Sequence, residues 1–210
     1  MTEEGVRRVA VVLFEGFTVL DAYGPVQAFS ACRTATPDGR QRPSFEIFAV
    51  AQAPGPVRSG DGLTTHADHA LAVAPPFDIL LVPGGFGTRR EVDNPAFIET
   101  LGAASRRAAV TATVCTGAAL LARTGRLDGR PATSNKIAWD WVVGQGPRVH
   151  WRRRARWVDA GDILTSSGVS AGIDMTLALI ARECGRELAL SAARNMEYVW
   201  HEDPDDDPFA

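Results

Sequence analysis

Apolar runs and polar breaks alternate along this chain in a regular order. Val9-Ala-Val-Val-Leu-Phe14 is short, continuous and rich in β-branched residues, the pattern of a strand buried on both faces. Gly16 marks a turn, and a helix is predicted from about Leu20 to Arg33, started or interrupted at Gly24-Pro25. Thr34 to Pro43 reads as a polar loop around Pro37-Asp-Gly39. Phe45-Glu-Ile-Phe-Ala-Val50 is a second strand. Residues 53–75 alternate weakly and are rich in Pro, Gly and Thr, which predicts a short β excursion. Asp78 to Val82 is a third buried strand, closed by Pro83-Gly-Gly-Phe-Gly87, and Asn94-Pro95 starts a helix. Ala109 to Val114 is a fourth strand, followed by a helix from Thr116 to Arg123 that Gly125 closes. Pro131 to Thr133 is a short strand, with a helix near Lys136–Val143. Residues 149–166 fit a hairpin turning at Asp159-Ala-Gly-Asp162. Ser170 to Cys184 is a strongly apolar helix, and Arg186 to about Tyr198 is another. Strands alternating with helices predict an α/β fold: a mostly parallel sheet with helices on both faces.

The 210 residues suit one domain spanning the whole chain. With 45% apolar and 22% charged residues, the composition is that of an ordinary globular protein that needs no disulfide or metal staple. Net charge is −3, but residues 201–210 form an acidic tail with five acids and no base, so the body is near +2. That balance gives no electrostatic case for nucleic acid. No apolar stretch is long enough for a membrane span or a signal peptide, so a cytoplasmic protein with no membrane partner is expected. Cys32, Cys115 and Cys184 are odd in number and widely spaced, which argues against a disulfide framework or a metal site.

In such a sheet, ligands bind beyond the carboxyl ends of the strands. Cys115 stands at one of these ends: a buried strand runs into it, and Thr116-Gly117 opens a helix. This is the elbow that exposes a nucleophile above an α/β sheet, and a helix N-terminus there favours a low-pKa, reactive thiolate. Cys32 and Cys184 lie among apolar neighbours in predicted helices, which suits structural cysteines. Gly84 and Gly85 can present backbone N–H groups to an oxyanion, with Thr116 N–H as partner donor. Asp21, in the apolar stretch Val19–Tyr23, is either a helix N-cap or a carboxyl facing Cys115. In the second case its pKa rises and it becomes a proton donor near neutrality. Asn135 and Gly168 sit at two further strand-end junctions and complete the candidate substrate-binding set. Asp174 reads as a first-turn carboxylate favoured by its helix dipole. The run Trp151-Arg-Arg-Arg-Ala-Arg-Trp157 reads as a solvated hairpin strand.

Phe14-Glu-Gly-Phe-Thr-Val-Leu-Asp-Ala-Tyr-Gly-Pro25, the Pro83–Gly87 turn, Val114-Cys-Thr-Gly117 and Ser170-Ala-Gly-Ile-Asp174 resemble the ThiJ/PfpI superfamily, a class I glutamine amidotransferase-like group. Within it, the combination is most similar to the isonitrile hydratase branch. The resemblance runs from about Val9 to Tyr198. It implies a flavodoxin-like homodimer acting on a small molecule without a cofactor or a metal. It also implies Cys115 as nucleophile, Asp21 as acid and Thr116 as the adjoining hydroxyl, adding water to an isonitrile to give an N-substituted formamide. The branch includes ligand-binding halves of transcription regulators, in which a helix-turn-helix region follows; this sequence ends at Ala210, so a chain without that region is expected. Many members carry an Ala-Thr-Thr-His pattern where Ala132-Thr-Ser-Asn135 stands here. Asparagine transfers no proton at neutral pH, which disfavours glyoxalase or deglycase chemistry as the alternative activity. A redox or ligand sensor that catalyses nothing is the competing reading.

Overall fold

The computed structural model describes residues 6–36 and 38–210. Residues 1–5 and Pro37, part of the expected turn at 37–39, lie outside the described residues. The first strand, β1 (Arg7–Val12), leads into α1 (Val19–Ser30). A ribbon of β2 (Arg33–Ala35) and β3 (Gln41–Pro43) follows, then β4 (Phe45–Ala51). The expected β excursion is an antiparallel pair, β5 (Gly55–Arg58) and β6 (Thr64–Ala67), with a short β7 (His69–Ala70) and a 3-10 turn at Leu71–Val73. β8 (Ile79–Val82) precedes α2 (Thr88–Glu91) and α3 (Pro95–Arg107). β9 (Val110–Thr113) runs to α4 (Gly117–Arg123), and β10 (Pro131–Ala132) to α5 (Trp139–Gln145). β11 (His150–Trp151), β12 (Trp157–Asp159) and β13 (Ile163–Ser166) lead to the closing helices α6 (Ala171–Cys184) and α7 (Arg186–Asn195).

Seven strands form the central sheet in the order β12-β13-β9-β8-β1-β4-β7, parallel throughout except for the edge strand β12. Val9 of β1 pairs with Ile47 on one side and Ile79 on the other, so the central strand is enclosed by apolar neighbours. Such strands carry continuous apolar runs because both faces are covered. α1 packs with α6 and α7 as one layer, and α2 to α5 pack together as the other. The fold is the α/β sandwich that the pattern predicts, in the flavodoxin-like arrangement that the resemblance implies. Among the described residues, no helix is long and apolar enough to cross a membrane.

Several local expectations are corrected. The segment 34–43 is a β-ribbon, in which Thr34 Oγ1 meets Ser44 Oγ at 2.7 Å. α1 ends at Ser30 and runs through Pro25, although that proline has no N–H for the Asp21 carbonyl one turn earlier. β11 leaves the expected hairpin and pairs in parallel with β10; only β12 and β13 form the hairpin. α7 stops at Asn195, two residues before Glu197 takes a left-handed φ of 50°.

The acidic tail at 201–210 folds back onto the body despite its charge. The Pro204 carbonyl accepts the Arg156 N–H at 2.7 Å, and Asp207 N–H donates to the Arg154 carbonyl at 3.1 Å. Asp207 is buried, 3.6 Å from Lys136 Nζ, which also donates to Thr133 Oγ1 and to the carbonyls of Ser134 and Ala155. Burial pulls the Lys136 ammonium down to about 8 against the opposing pull of Asp207. Arg156 is not a solvated hairpin residue either: its guanidinium is buried against Asp174 at 2.6 Å.

Candidate active site

Cys115 lies two residues beyond the end of β9 and adopts φ 58°, a left-handed conformation that a residue with a Cβ holds only under constraint. The constraint is visible. Cys115 N–H donates to the Ser167 carbonyl at 3.0 Å, and Ser134 Oγ donates to the Cys115 carbonyl at 2.6 Å. The elbow is thus tied to the ends of β13 and β10. Val169 takes φ 39°, a rarer conformation still for a β-branched residue. Its N–H and that of Thr116 face the sulfur and favour the thiolate. Two strained residues therefore converge on one atom.

Asp21 lies in the first turn of α1, fully buried. It is not the helix cap: Thr18 occupies that position, and the Val19 N–H is taken by Asp61 Oδ2 at 2.7 Å. Asp21 Oδ2 accepts the Gly84 N–H at 2.9 Å, while Oδ1 is buried with no hydrogen-bond partner among the described residues. A carboxylate so poorly solvated holds its proton. Burial is the main cause and the charge of Asp61 a lesser one, opposed by the Gly84 N–H and the Cys115 thiol, and the pKa rises to about 7. Cys115 is only 6% exposed. Burial first, and the Asp21 charge second, push its thiol up to about 12. This corrects the low-pKa thiolate expected from the elbow: two backbone N–H groups and the start of a seven-residue helix do not offset desolvation beside a carboxylate. Between these two values the pair holds one proton.

The glycines do something other than what was expected. Gly84 N–H is already spent on Asp21, and Gly85 N–H donates to Thr116 Oγ1 at 2.9 Å. Neither N–H is free for an oxyanion. Both residues are required by close approach. A Cβ on Gly84 would lie 2.5 Å from Thr116 N, and one on Gly85, at φ 129°, would lie 2.4 Å from the Gly16 carbonyl oxygen. Thr116 Oγ1 also lies 3.2 Å from Thr88 Oγ1, so this hydroxyl holds the Gly84–Gly85 turn; its backbone N–H, not its side chain, reaches the sulfur.

A cavity of about 210 Å³ opens onto Cys115, bounded by Phe86, Arg89, Asn135, Ile137 and Val169 among others. Asn135 Oδ1 accepts the Ala138 N–H at 2.7 Å, which fixes the side chain and leaves Nδ2 without a protein acceptor among the described residues. Gly168 lies against that amide, where a Cβ would come within 2.8 Å of Nδ2. Asp21, Gly84, Gly85, Cys115, Thr116, Asn135 and Gly168 are thus brought together at the carboxyl edge of the sheet. Sequence reasoning missed Val169, because valine gives no signal for a left-handed turn, and Arg89, which reads as one more surface base. A wider groove of about 660 Å³ runs past Glu99, Arg106 and Arg123 and is lined by no cysteine. Among the described residues, no group of three or more His, Cys, Asp or Glu side chains could hold a metal ion.

The other two cysteines divide: the structural reading of Cys32 holds although it lies outside the helix, and that of Cys184 does not. Cys32 is buried just beyond the end of α1, with burial pushing its thiol up to about 12. Cys184 closes α6 and is exposed, so it is not a core cysteine.

Comparison with known proteins places this geometry. The HTH-type transcriptional regulator CdhR of Pseudomonas aeruginosa is 32% identical over 183 residues, covering 87% of this chain and 52% of the regulator. The chain therefore spans about half the length of that relative. Isonitrile hydratase of Pseudomonas putida is 25% identical over 192 residues, covering 91% of this chain and 78% of the enzyme. The crystal structure of a ThiJ/PfpI family protein from Pseudomonas syringae superposes with a TM-score of 0.80 at 28% identity, over 97% of this chain and 77% of that one. The DJ-1/PfpI family model matches residues 7–182, a span that holds the elbow, its carboxyl and the whole central sheet, and the chain belongs to that family.

Proposed function

We propose that the Cys115 pocket adds water to a small molecule, with an isonitrile as the substrate class and an N-substituted formamide as the product. The observation that carries this reading is the Asp21–Cys115 pair: a nucleophile at a strained elbow beside a carboxyl poised near 7, with no histidine at the neighbouring strand end. The similarity to isonitrile hydratase supports it.

Asp21 carboxylate takes the Cys115 proton as Sγ attacks the terminal isonitrile carbon. The proton passes from Asp21 to that same carbon, giving a thioimidate, R–N=CH–S–Cys115. Water then adds to this carbon and gives one proton to Asp21. Collapse breaks the C–S bond as the proton of the added hydroxyl passes to the nitrogen, leaving R–NH–CHO; the proton held by Asp21 returns to the sulfur. The sequence consumes one water and regenerates the singly protonated pair. Thr116 and Val169 N–H groups stabilise the sulfur as charge develops on it.

Because Asp21 must be ionised to accept the thiol proton, kcat/KM should rise with pH through about 7. The test is turnover of an aryl isonitrile followed by formamide release, in parallel with methylglyoxal. Formamide production lost in Cys115→Ser supports the reading; efficient turnover of methylglyoxal with untouched isonitrile overturns it. A second reading, a ligand-sensing domain, is favoured by the regulator CdhR among the relatives and by the burial of Cys115. It predicts saturable binding in the pocket with no turnover.

A further inference from the structure

We propose that Arg89 makes the Cys115 pocket selective for a small ligand that carries a carboxylate. This rests on the reading of that pocket as the working site and names the class of molecule it takes. Arg89 lies in α2 and borders the cavity. Its guanidinium carbon sits 5.0 Å from the Phe86 ring centroid and 4.6 Å from that of Trp141. The two aromatic rings hold the guanidinium without using its hydrogen-bonding edge, because the attraction is to the ring faces. Neither an ion pair nor a hydrogen bond to an acid engages Arg89 among the described residues. Its neighbour Arg90 shows the contrast, bonded to Glu91 at 2.6 Å and to the Glu15 carbonyl at 3.1 Å. A positioned guanidinium with unused donors at the mouth of a pocket matches the planar fork of a carboxylate.

The rest of the cavity agrees. Arg89 is the one formally charged side chain among the described residues lining it, and Phe86, Ile137 and Val169 make the walls apolar. Phe86 and Ile137 are 80% and 99% exposed, so the apolar rim is open to an entering molecule. Asn135 Nδ2 offers one more donor inside. At about 30 Å³ per water, the volume of about 210 Å³ holds roughly seven waters, or a ligand of about as many non-hydrogen atoms. A short aliphatic chain with a carboxylate at one end and the reacting carbon at the other fits that size.

Two measurements test this, and one does not depend on turnover. The first compares kcat/KM for 4-isocyanobutanoate and for its neutral methyl ester. The carboxylate should be favoured about ten- to a hundredfold, and the ratio should fall to about one in Arg89→Gln and only partly in Arg89→Lys. The second measures protection of Cys115 from alkylation by butanoate, read by mass mapping. Protection in the parent that is lost in Arg89→Gln supports the assignment even where no isonitrile is hydrated; in that case the hydratase reading fails and Arg89 stands. Equal turnover of acid and ester with no protection by butanoate overturns the role of Arg89 while leaving the hydratase reading intact. Absence of both turnover and protection overturns both.

Discussion

Two aspartates, Asp21 and Asp174, occupy the same kind of position with opposite outcomes. Each lies in the first turn of a helix, α1 and α6, and those helices pack together. Each side chain is wholly buried. Asp174 is surrounded by donors: Arg156 Nε and Nη2 reach its Oδ2 at 2.8 and 2.6 Å, and Tyr198 Oη and His201 N–H reach Oδ1 at 3.0 and 2.9 Å. Those bonds anchor the segment after α7, and through Arg156 and Pro204 the tail as well. Asp21 accepts one N–H, from Gly84, with the Cys115 thiol beside it, and its Oδ1 has no hydrogen-bond partner among the described residues. The number of donors separates them. A buried carboxylate with four hydrogen bonds is an anchor, whereas one with few donors is basic enough to take and return a proton near neutrality.

The largest effect expected from this contrast is on turnover. Asp21→Asn keeps the size and the acceptor for Gly84 N–H but transfers no proton, so isonitrile hydration should fall by about 10² to 10⁴. An activity within threefold of the parent would remove Asp21 from the chemistry.

Next come opposite shifts in stability. Asp174→Asn leaves the buried Arg156 without its counter-charge and should cost about 3–5 kcal/mol in denaturant unfolding. Asp21→Asn should stabilise at pH 8. The folded protein raises this pKa from 3.8 to about 7, so it holds a proton that the unfolded chain releases between those values. The contribution of Asp21 to stability therefore falls as pH rises from about 4 to 7. Removing the ionisable group recovers on the order of 4 kcal/mol above that range. Loss of stability in both variants would show that the two carboxyls play the same role.

A smaller effect separates reactivity from catalysis. The Asp21 charge raises the Cys115 pKa, so Asp21→Asn should speed iodoacetamide alkylation of Cys115 at pH 8 by at least about tenfold while it slows turnover. In the parent protein, exposed Cys184 should be labelled before Cys115, as mass mapping would read. Smallest is the tail. Asp207→Ala should cost about 1–2 kcal/mol, because Lys136 Nζ keeps three oxygen partners without it.

The sheet was legible because its strands are enclosed: runs such as Val9–Phe14 and Ile79–Val82 need no tertiary knowledge to be read. The elbow at Cys115 was legible for the same reason, since a strand ending in Cys-Thr-Gly leaves few geometries. Three features were not. Arg156 and Asp174 are 18 residues apart, and nothing in a basic run marks one arginine as buried. The tail, with five acids in ten residues, carries the composition of a solvated segment, and only the position of Lys136 makes Asp207 an inward residue. The direction of the Cys115 shift depends on burial of the sulfur and on the Asp21 charge beside it, which an elbow motif does not encode.

The central claim is that Asp21 holds a proton up to about neutral pH. Carbon-13 NMR of protein labelled at aspartate Cγ, with the Asp21 signal assigned by its loss in Asp21→Asn, reads that titration directly. The account predicts a midpoint near 7. A midpoint near the ordinary aspartate value of about 4 would contradict it.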